Sequence, residues 1–288
     1  MPLRLTYFGD TQIPVEVEGL TPDWACDKSP AEIERFEIFE GNRRRPLAEM
    51  FRVSGSAADS RIEWEGNLAG VHWIGAGMQT GVMHVAGSVG RHVGSGLRGG
   101  SIYVDGDAGD WAGAELHGGL LHVRGNAAQM VGAAYRGSPK GMTGGTILVD
   151  GDAGDEVGAT MRRGLIAVGG SAGDLVGFNM IAGTVLVFGD CGIRAGANMR
   201  RGTIGLLGTT RPTLLPTFRF ATTIRPHVAC ILFRSIAKLG LPFDEALLDT
   251  EFEVYRGDLV SIGRGELWLR SAELKSSTAA GRSTESAV

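Results

Sequence analysis

The chain has 288 residues, enough for one large domain or two small ones with a sizeable core. A hydrophobic content of 43% and a formal net charge of −4 exclude a disordered chain and argue against strong nucleic-acid affinity. The 46 glycines are far more than helices tolerate and call for a turn-dense architecture.

The N-terminal MPLRLTYFGD holds no apolar stretch of signal-peptide length. No window approaches the roughly 18 apolar residues of a membrane span. Cys26, Cys191 and Cys230 are far apart and lack metal-ligand spacing, so a reduced, cytoplasmic setting is expected. Residues 1–60 are expected to form an N-terminal capping segment, with short strands at Leu3–Tyr7, Ile13–Val17, Phe36–Phe39 and Phe51–Val53. The capping-box signature Ser29-Pro30-Ala31-Glu32 predicts a short helix between them.

Residues 61–208 are a repeat of 19. Rows such as SIYVDGDAGDWAGAELHGG from Ser101 and TILVDGDAGDEVGATMRRG from Thr146 align three glycine columns, exemplified by Gly106, Gly113 and Gly119 in the first of these rows. A seven-residue insertion around Ser138-Pro139-Lys140-Gly141 breaks the spacing once, and an earlier partial copy near Gly66 is offset by two residues. Each row begins with period-2 alternation that puts Ile102, Ile147, Ile166, Val185 and Ile204 on one apolar face. The glycine after each strand is expected to supply the positive φ of a tight corner. A small column (Ala108, Ala127, Ala153, Ala172, Cys191) and a large one (Leu97, Leu116, Tyr135, Met161, Met180, Met199) are expected inside. One row cannot bury its apolar residues alone, so the pattern predicts an all-β fold, a parallel β-helix with one coil per repeat. At about 4.8 Å per coil, seven coils span about 34 Å.

Residues 209–270 are expected to close the other end: Thr209–Ala221 irregular, Pro226–Leu239 an amphipathic helix stopped by Gly240, and strands at Phe252–Tyr255 and Glu266–Leu269. Residues 271–288, polar and small, are expected to be a disordered tail.

Chemistry-bearing patterns are sparse. Gly106-Asp107-Ala108-Gly109-Asp110 with Gly113 imitates a dinucleotide fingerprint but lacks the helix that motif requires. The aspartates beside the corner glycines are expected to cap their own turns. His84 and His122 share an outward column with Tyr103 between them, about 9.6 Å apart and too far to share a metal. No Ser/His/Asp or Cys/His set assembles from the columns, so the chain itself is expected to be non-catalytic and to bind no metal. One outward edge stands apart: Arg98, His117, Arg136, Arg162, Ile181 and Arg200, with Arg163 and Arg201 adjacent. It is either a solvated charged edge that discourages sideways association or a track for an extended anionic ligand or acidic surface.

The GD-A-G-x-x-x-G-x-x-M-x-x-G ladder resembles the glycine-rich domain at the C-terminal end of the glutamate synthase large subunit. It is still more similar to the C subunit of formylmethanofuran dehydrogenase. Leu215-Pro216-Thr217-Phe218 and Tyr255-Arg256-Gly257-Asp258 share that second resemblance. The resemblance implies a right-handed, single-stranded β-helix of about seven coils, packed as a scaffold against subunits that do chemistry. Its methanogen version is a molybdenum or tungsten dehydrogenase. Its methylotroph version is a formyltransferase/hydrolase complex of one-carbon metabolism and formaldehyde oxidation. That complex moves a formyl group from formyl-tetrahydromethanopterin to a furan carrier and hydrolyses it to formate. The arginine-rich, lysine-poor composition and the polar tail resemble the bacterial version. Implied partners are amidohydrolase-like, formyltransferase and further accessory subunits, with no nucleic acid or membrane. Because the methanofuran-like carrier bears a chain of glutamates, the edge Arg98, His117, Arg136, Arg162, Arg163, Arg200 and Arg201 is the expected contact for that arm. The insertion is the expected partner-docking loop. The competing expectations are a detached glutamate-synthase-type bridging domain and a free-standing polysaccharide-lyase-like enzyme.

Overall fold

A computed structural model describes residues 1–271. The chain enters through β1 (Leu3–Tyr7), β2 (Val15–Glu16), α1 (Pro22–Ala25), α2 (Pro30–Glu34), the antiparallel pair β3 (Glu37–Glu40) and β4 (Arg43–Pro46), and β5 (Phe51–Ser54). The capping box forms: the Ser29 hydroxyl accepts the Glu32 N–H while the Glu32 carboxylate accepts the Ser29 N–H. The strand expected at Ile13–Val17 shortens to two residues. Pro14 has no N–H to donate to a ladder, and Val17 bonds instead to the His72 carbonyl.

The repeat contributes β6 (Arg61–Glu65), β7 (Val71–His72), β8 (Val82–Val85), β9 (Ser101–Val104), β10 (Leu120–Val123), β11 (Thr146–Val149), β12 (Leu165–Val168), β13 (Thr184–Val187) and β14 (Arg201–Leu206). Apart from β7, each lies parallel to the strand of the next row, so Ile102 sits beside Leu121, Leu121 beside Ile147 and Ile147 beside Ile166. A second ladder of single bridges runs through the small column, from Leu68 through Val89 and the alanines to Cys191. Ile62 pairs with Met83, 21 residues on. The two extra residues fall between Leu68 and Trp73, where β7 forms and pairs with β2 in a separate four-stranded sheet.

Three sequence expectations change within the repeat. The first glycine column is not chosen for positive φ, which only Gly87 of that column adopts. At Gly189 a Cβ would lie 2.6 Å from the carbonyl carbon of Gly170 in the preceding row, so these glycines permit close stacking of backbones. The positive-φ corners are the other two glycine columns, together with side-chain-bearing residues such as Trp111, Leu175 and Arg194. The aspartates do not cap their own turns. Asp152 Oδ1 accepts the Ser171 N–H at 2.7 Å and Asp174 Oδ1 the Ile193 N–H at 2.9 Å, each in the next row. Finally, Tyr135 is not in the large inward column. Met142 fills that place, fully buried between Leu116 and Met161, and the insertion is therefore Tyr135–Gly141.

After the repeat come β15 (Arg219–Ile224), α3 (His227–Lys238), β16 (Phe252–Gly257) and β17 (Arg264–Arg270). Strand β17 continues the stack parallel to β14, and β16 and β15 add antiparallel outside it. The expectation that 209–221 is irregular fails at its end, because Arg219 and Phe220 pair with Arg256 and Tyr255 of β16, with Ala221 left at a bulge. The thirteen-stranded sheet thus runs from β15 at one edge to β5 at the other.

The core is double. One apolar cluster fills the interior of the rows. A second lies on the outer sheet face, where Leu148, Ala167 and Leu186, with Phe252 and Trp268 of the added strands, are covered by Phe233 and Ile236 of α3 and by Leu241 and Leu247. Burying one such side chain contributes about 1.5–3 kcal/mol. The same cover reaches His122, 4% exposed beneath Gly240, where its Nε2 is 2.7 Å from Asp150 Oδ1.

Candidate functional site

Inter-row hydrogen bonds build the basic edge. The N–H groups of Arg98, His117, Thr143, Arg162, Ile181 and Arg200 each donate to the carbonyl of the large inward residue one row earlier, at 2.7–2.9 Å. Their side chains therefore share a column, one row apart, on the outside of the Leu/Met column. Arg98, His117, Arg162 and Arg200 are brought together here, and Arg163 and Arg201 follow directly; all six are exposed. Arg136 is not in the column. It lies in the insertion, and Thr143 takes its place, with its hydroxyl 2.7 Å from His117 Nδ1. The edge also runs one row further than the repeat does, because Arg264 of β17 is the register partner of Arg201. That extension was hidden because the glycine ladder ends before Arg264. Among the described residues none of these arginines is in an ion pair. Their charge is therefore available to an external anion.

A second cluster escaped the sequence because its members are 19 or more residues apart. Trp73, His92 and Trp111 occupy one positive-φ column and stack, with ring centroids 4.0 Å and 5.4 Å apart. Tyr135, pushed out of the core column by the insertion, covers the stack, its hydroxyl 2.9 Å from both His92 Nδ1 and Ser95 Oγ. Burial, with help from nearby His72 and Arg91, lowers the His92 pKa to about 4, so the ring is neutral at physiological pH. Burial likewise pushes the Tyr135 phenol up to about 12. These groups lack the proton-transfer poise of an acid–base pair near neutrality.

Two further histidines have local partners: His84 Nε2 is 2.9 Å from Asp105 Oδ2, and His72 Nδ1 accepts the Arg91 N–H. Cys191 packs against the core, and burial, reinforced by Asp190 and Asp174, pushes its thiol up to about 11. Among the described residues no three His, Cys, Asp or Glu side chains gather as a metal site would require. Two hollows of about 350 and 400 Å³ flank Thr209 and Arg270, and among the described residues Asp244 is the only carboxylate lining either. Among the described residues no helix is long and apolar enough to cross a membrane.

No family model matches the chain. Among curated proteins it is similar to the C subunit of molybdenum-containing formylmethanofuran dehydrogenase 1. It is 39% identical over 82 residues to the Methanothermobacter thermautotrophicus protein, covering 28% of this chain and 20% of that one. Against the Methanosarcina barkeri protein it is 39% identical over 85 residues, 28% of each. The match thus spans a fifth to about a quarter of those relatives. Among solved structures it is similar to a chain of the formyltransferase/hydrolase complex (FhcABCD) from Methylorubrum extorquens, determined with methylofuran. The TM-score is 0.86 at 33% identity, over 93% of this chain and 100% of that one. The chain belongs to the family of formylmethanofuran dehydrogenase C subunits. The members it resembles are parts of larger enzyme complexes. Its likeness to the Methylorubrum chain takes in nearly the whole length, so the flanking strands and α3 belong to the C-subunit fold as much as the repeat does.

Proposed function

We propose that this chain is the non-catalytic scaffold subunit of a formyltransferase/hydrolase complex. That assembly would transfer a formyl group from formyl-tetrahydromethanopterin to a furan carrier and release it as formate. The observation that carries this reading is the whole-length likeness to a chain of the Methylorubrum complex. In this reading 61–208 forms a right-handed parallel β-helix, with 1–60 and 209–270 as the segments that close its two ends. The in-register parallel pairing of successive rows and the parallel alanine ladder support the stacked parallel coil, and the right hand is what the resemblance implies. An experimental map of the assembly that showed a left-handed coil would overturn it.

The column Arg98, His117, Arg162 and Arg200, with Arg163, Arg201 and Arg264, is the proposed track for the carrier's polyglutamate arm. Its arginines recur at multiples of about 4.8 Å along the stack. Arg136 at the insertion would contribute only from the side. Purification through a tag on this chain should bring down amidohydrolase-like, formyltransferase and accessory subunits. The double variant Arg162→Glu/Arg200→Glu should lose carrier from that assembly, more at low salt than at high. Undiminished carrier content would remove the track.

The curated relatives favour a second reading, the C subunit of a molybdenum or tungsten formylmethanofuran dehydrogenase. Metal analysis of the purified assembly separates the two: stoichiometric molybdenum or tungsten would select the dehydrogenase. The insertion Tyr135–Gly141 is a further proposed contact, and a crosslinking map that left Pro139 and Lys140 free would remove it.

A further inference from the structure

Between β16 and β17 the chain makes a short turn, Asp258–Gly263, whose construction is unlike that of an ordinary surface loop. Asp258 is 4% exposed although it is charged. Its Oδ2 accepts the Asn198 N–H at 2.9 Å and its Oδ1 the Val260 N–H at 3.0 Å. Its carbonyl accepts the N–H groups of Ser261 and Gly263, and the Leu259 N–H donates to the Thr217 carbonyl. Burial works to raise this carboxyl, but the Thr217 hydroxyl and those two N–H groups outweigh it and hold the carboxyl below its usual range. The turn is thus pinned internally, to the last row of the repeat and to the approach to β15.

What this pinned turn holds out is apolar. Leu259 is 53% exposed, Val260 76% and Ile262 55%, and Phe220 at the start of the neighbouring β15 is 56%. Soluble surfaces do not ordinarily fix several large aliphatic side chains in water on a rigid turn, and such groupings mark contact sites. The rigidity matters, because an interface element already ordered in the free chain avoids the ordering cost of binding. The unpaired flanking charge is basic, because the nearby Glu266 is taken up by Arg256 at 2.9 Å. Arg264 follows the turn and is the register partner of Arg201, Arg219 begins β15, and the turn's only acid is the inward-facing Asp258. A second copy of this chain would meet this rim with an equally basic one, so like charges oppose self-association through it.

Resting on the reading of this chain as one subunit of a larger assembly, we propose that Asp258–Gly263 is a docking knob. It inserts Val260 and Ile262, with Leu259 of the same turn, into an apolar hollow of a neighbouring subunit whose rim carries carboxylates. Asp258 is its positioning residue.

The test uses the intact assembly, purified through a tag on this chain. Wild type should retain its neighbours, and Val260→Asp/Ile262→Asp should retain at least one of them tenfold less while melting like wild type. Arg219→Glu/Arg264→Glu should also weaken that neighbour, most clearly at low salt. Should the aspartates lower the melting temperature, Val260→Cys decides by peptide-mapped maleimide labelling. Shielding in the assembly relative to the free chain supports the knob; equal labelling overturns it. Equal retention of every subunit by both charge variants overturns the knob and leaves subunit membership standing. A wild-type chain that retains no subunit overturns both, and a chain that dimerises through Val260 replaces the acidic partner with a second copy.

Discussion

At the scale of single residues, the insertion decides most. Sequence spacing put Tyr135 in the large inward column, because it stands 19 residues after Leu116. The fold keeps that column aliphatic and uses Met142 instead, in line with Met161, Met180 and Met199. The signal was present in the run of methionines, but counting forward from Leu116 concealed it. Met142→Ala should therefore cost about 2–5 kcal/mol. Arg136→Ala, out in solvent, should stay within about 0.5 kcal/mol. Urea unfolding of the two variants measures the contrast, and similar losses would restore the register read from sequence. The displaced tyrosine makes His92 a pH-dependent element. The unfolded chain protonates this imidazole near an ordinary pKa of about 6.5, whereas the folded chain does so only at about 4. Between those values the unfolded state binds more protons, so stability is level above the window and falls as pH drops through it. His92→Phe cannot titrate and should lose less melting temperature over that range. Parallel profiles for wild type and variant would show that His92 does not contribute.

At the scale of the element, the unit is the row, and its period was fully legible. The direction of its polar contacts was not. A turn-capping aspartate and a row-stitching aspartate occupy the same place in the sequence, and only the stacking reveals which N–H lies closer. Ser88, Asp107, Asn126, Asp152 and Ser171 form a continuous series in which each side chain accepts the next row's N–H. Asn126 shows that the acceptor oxygen, not the charge, is what the corner uses. Asp152→Asn should accordingly be near neutral, whereas Asp152→Ala should cost about 1 kcal/mol by leaving the Ser171 N–H without its partner. Equal losses in the two variants would mean that charge matters more than the bond.

At the scale of the whole molecule, the stacked core followed from the glycine columns, but the second core did not. The apolar run Leu148, Ala167 and Leu186 in a column read as outward was its signal, and it acquires meaning only once α3 is seen lying across the rows. Phe233 anchors that cover, fully buried against Phe188, Phe243 and Phe252. Phe233→Ala should cost about 3–5 kcal/mol. The loss should appear as earlier exposure of Trp268 fluorescence rather than as uniform weakening of the stack; a single transition shared by all probes would count against a separable cover. The basic edge was likewise readable row by row but not at its end, where Arg264 joins it from a strand outside the repeat. The helix across the rows also settles an addressing problem. A surface that repeats every 19 residues offers a neighbour nearly the same footing at each step, and a partner could slide along it by one row. Covering the sheet face over β11–β13 while leaving Arg61, His84 and Tyr103 open on β6, β8 and β9 breaks that equivalence. The rod acquires a distinguishable head and tail, and a neighbour that reads its sheet face can seat at one position and in one orientation only.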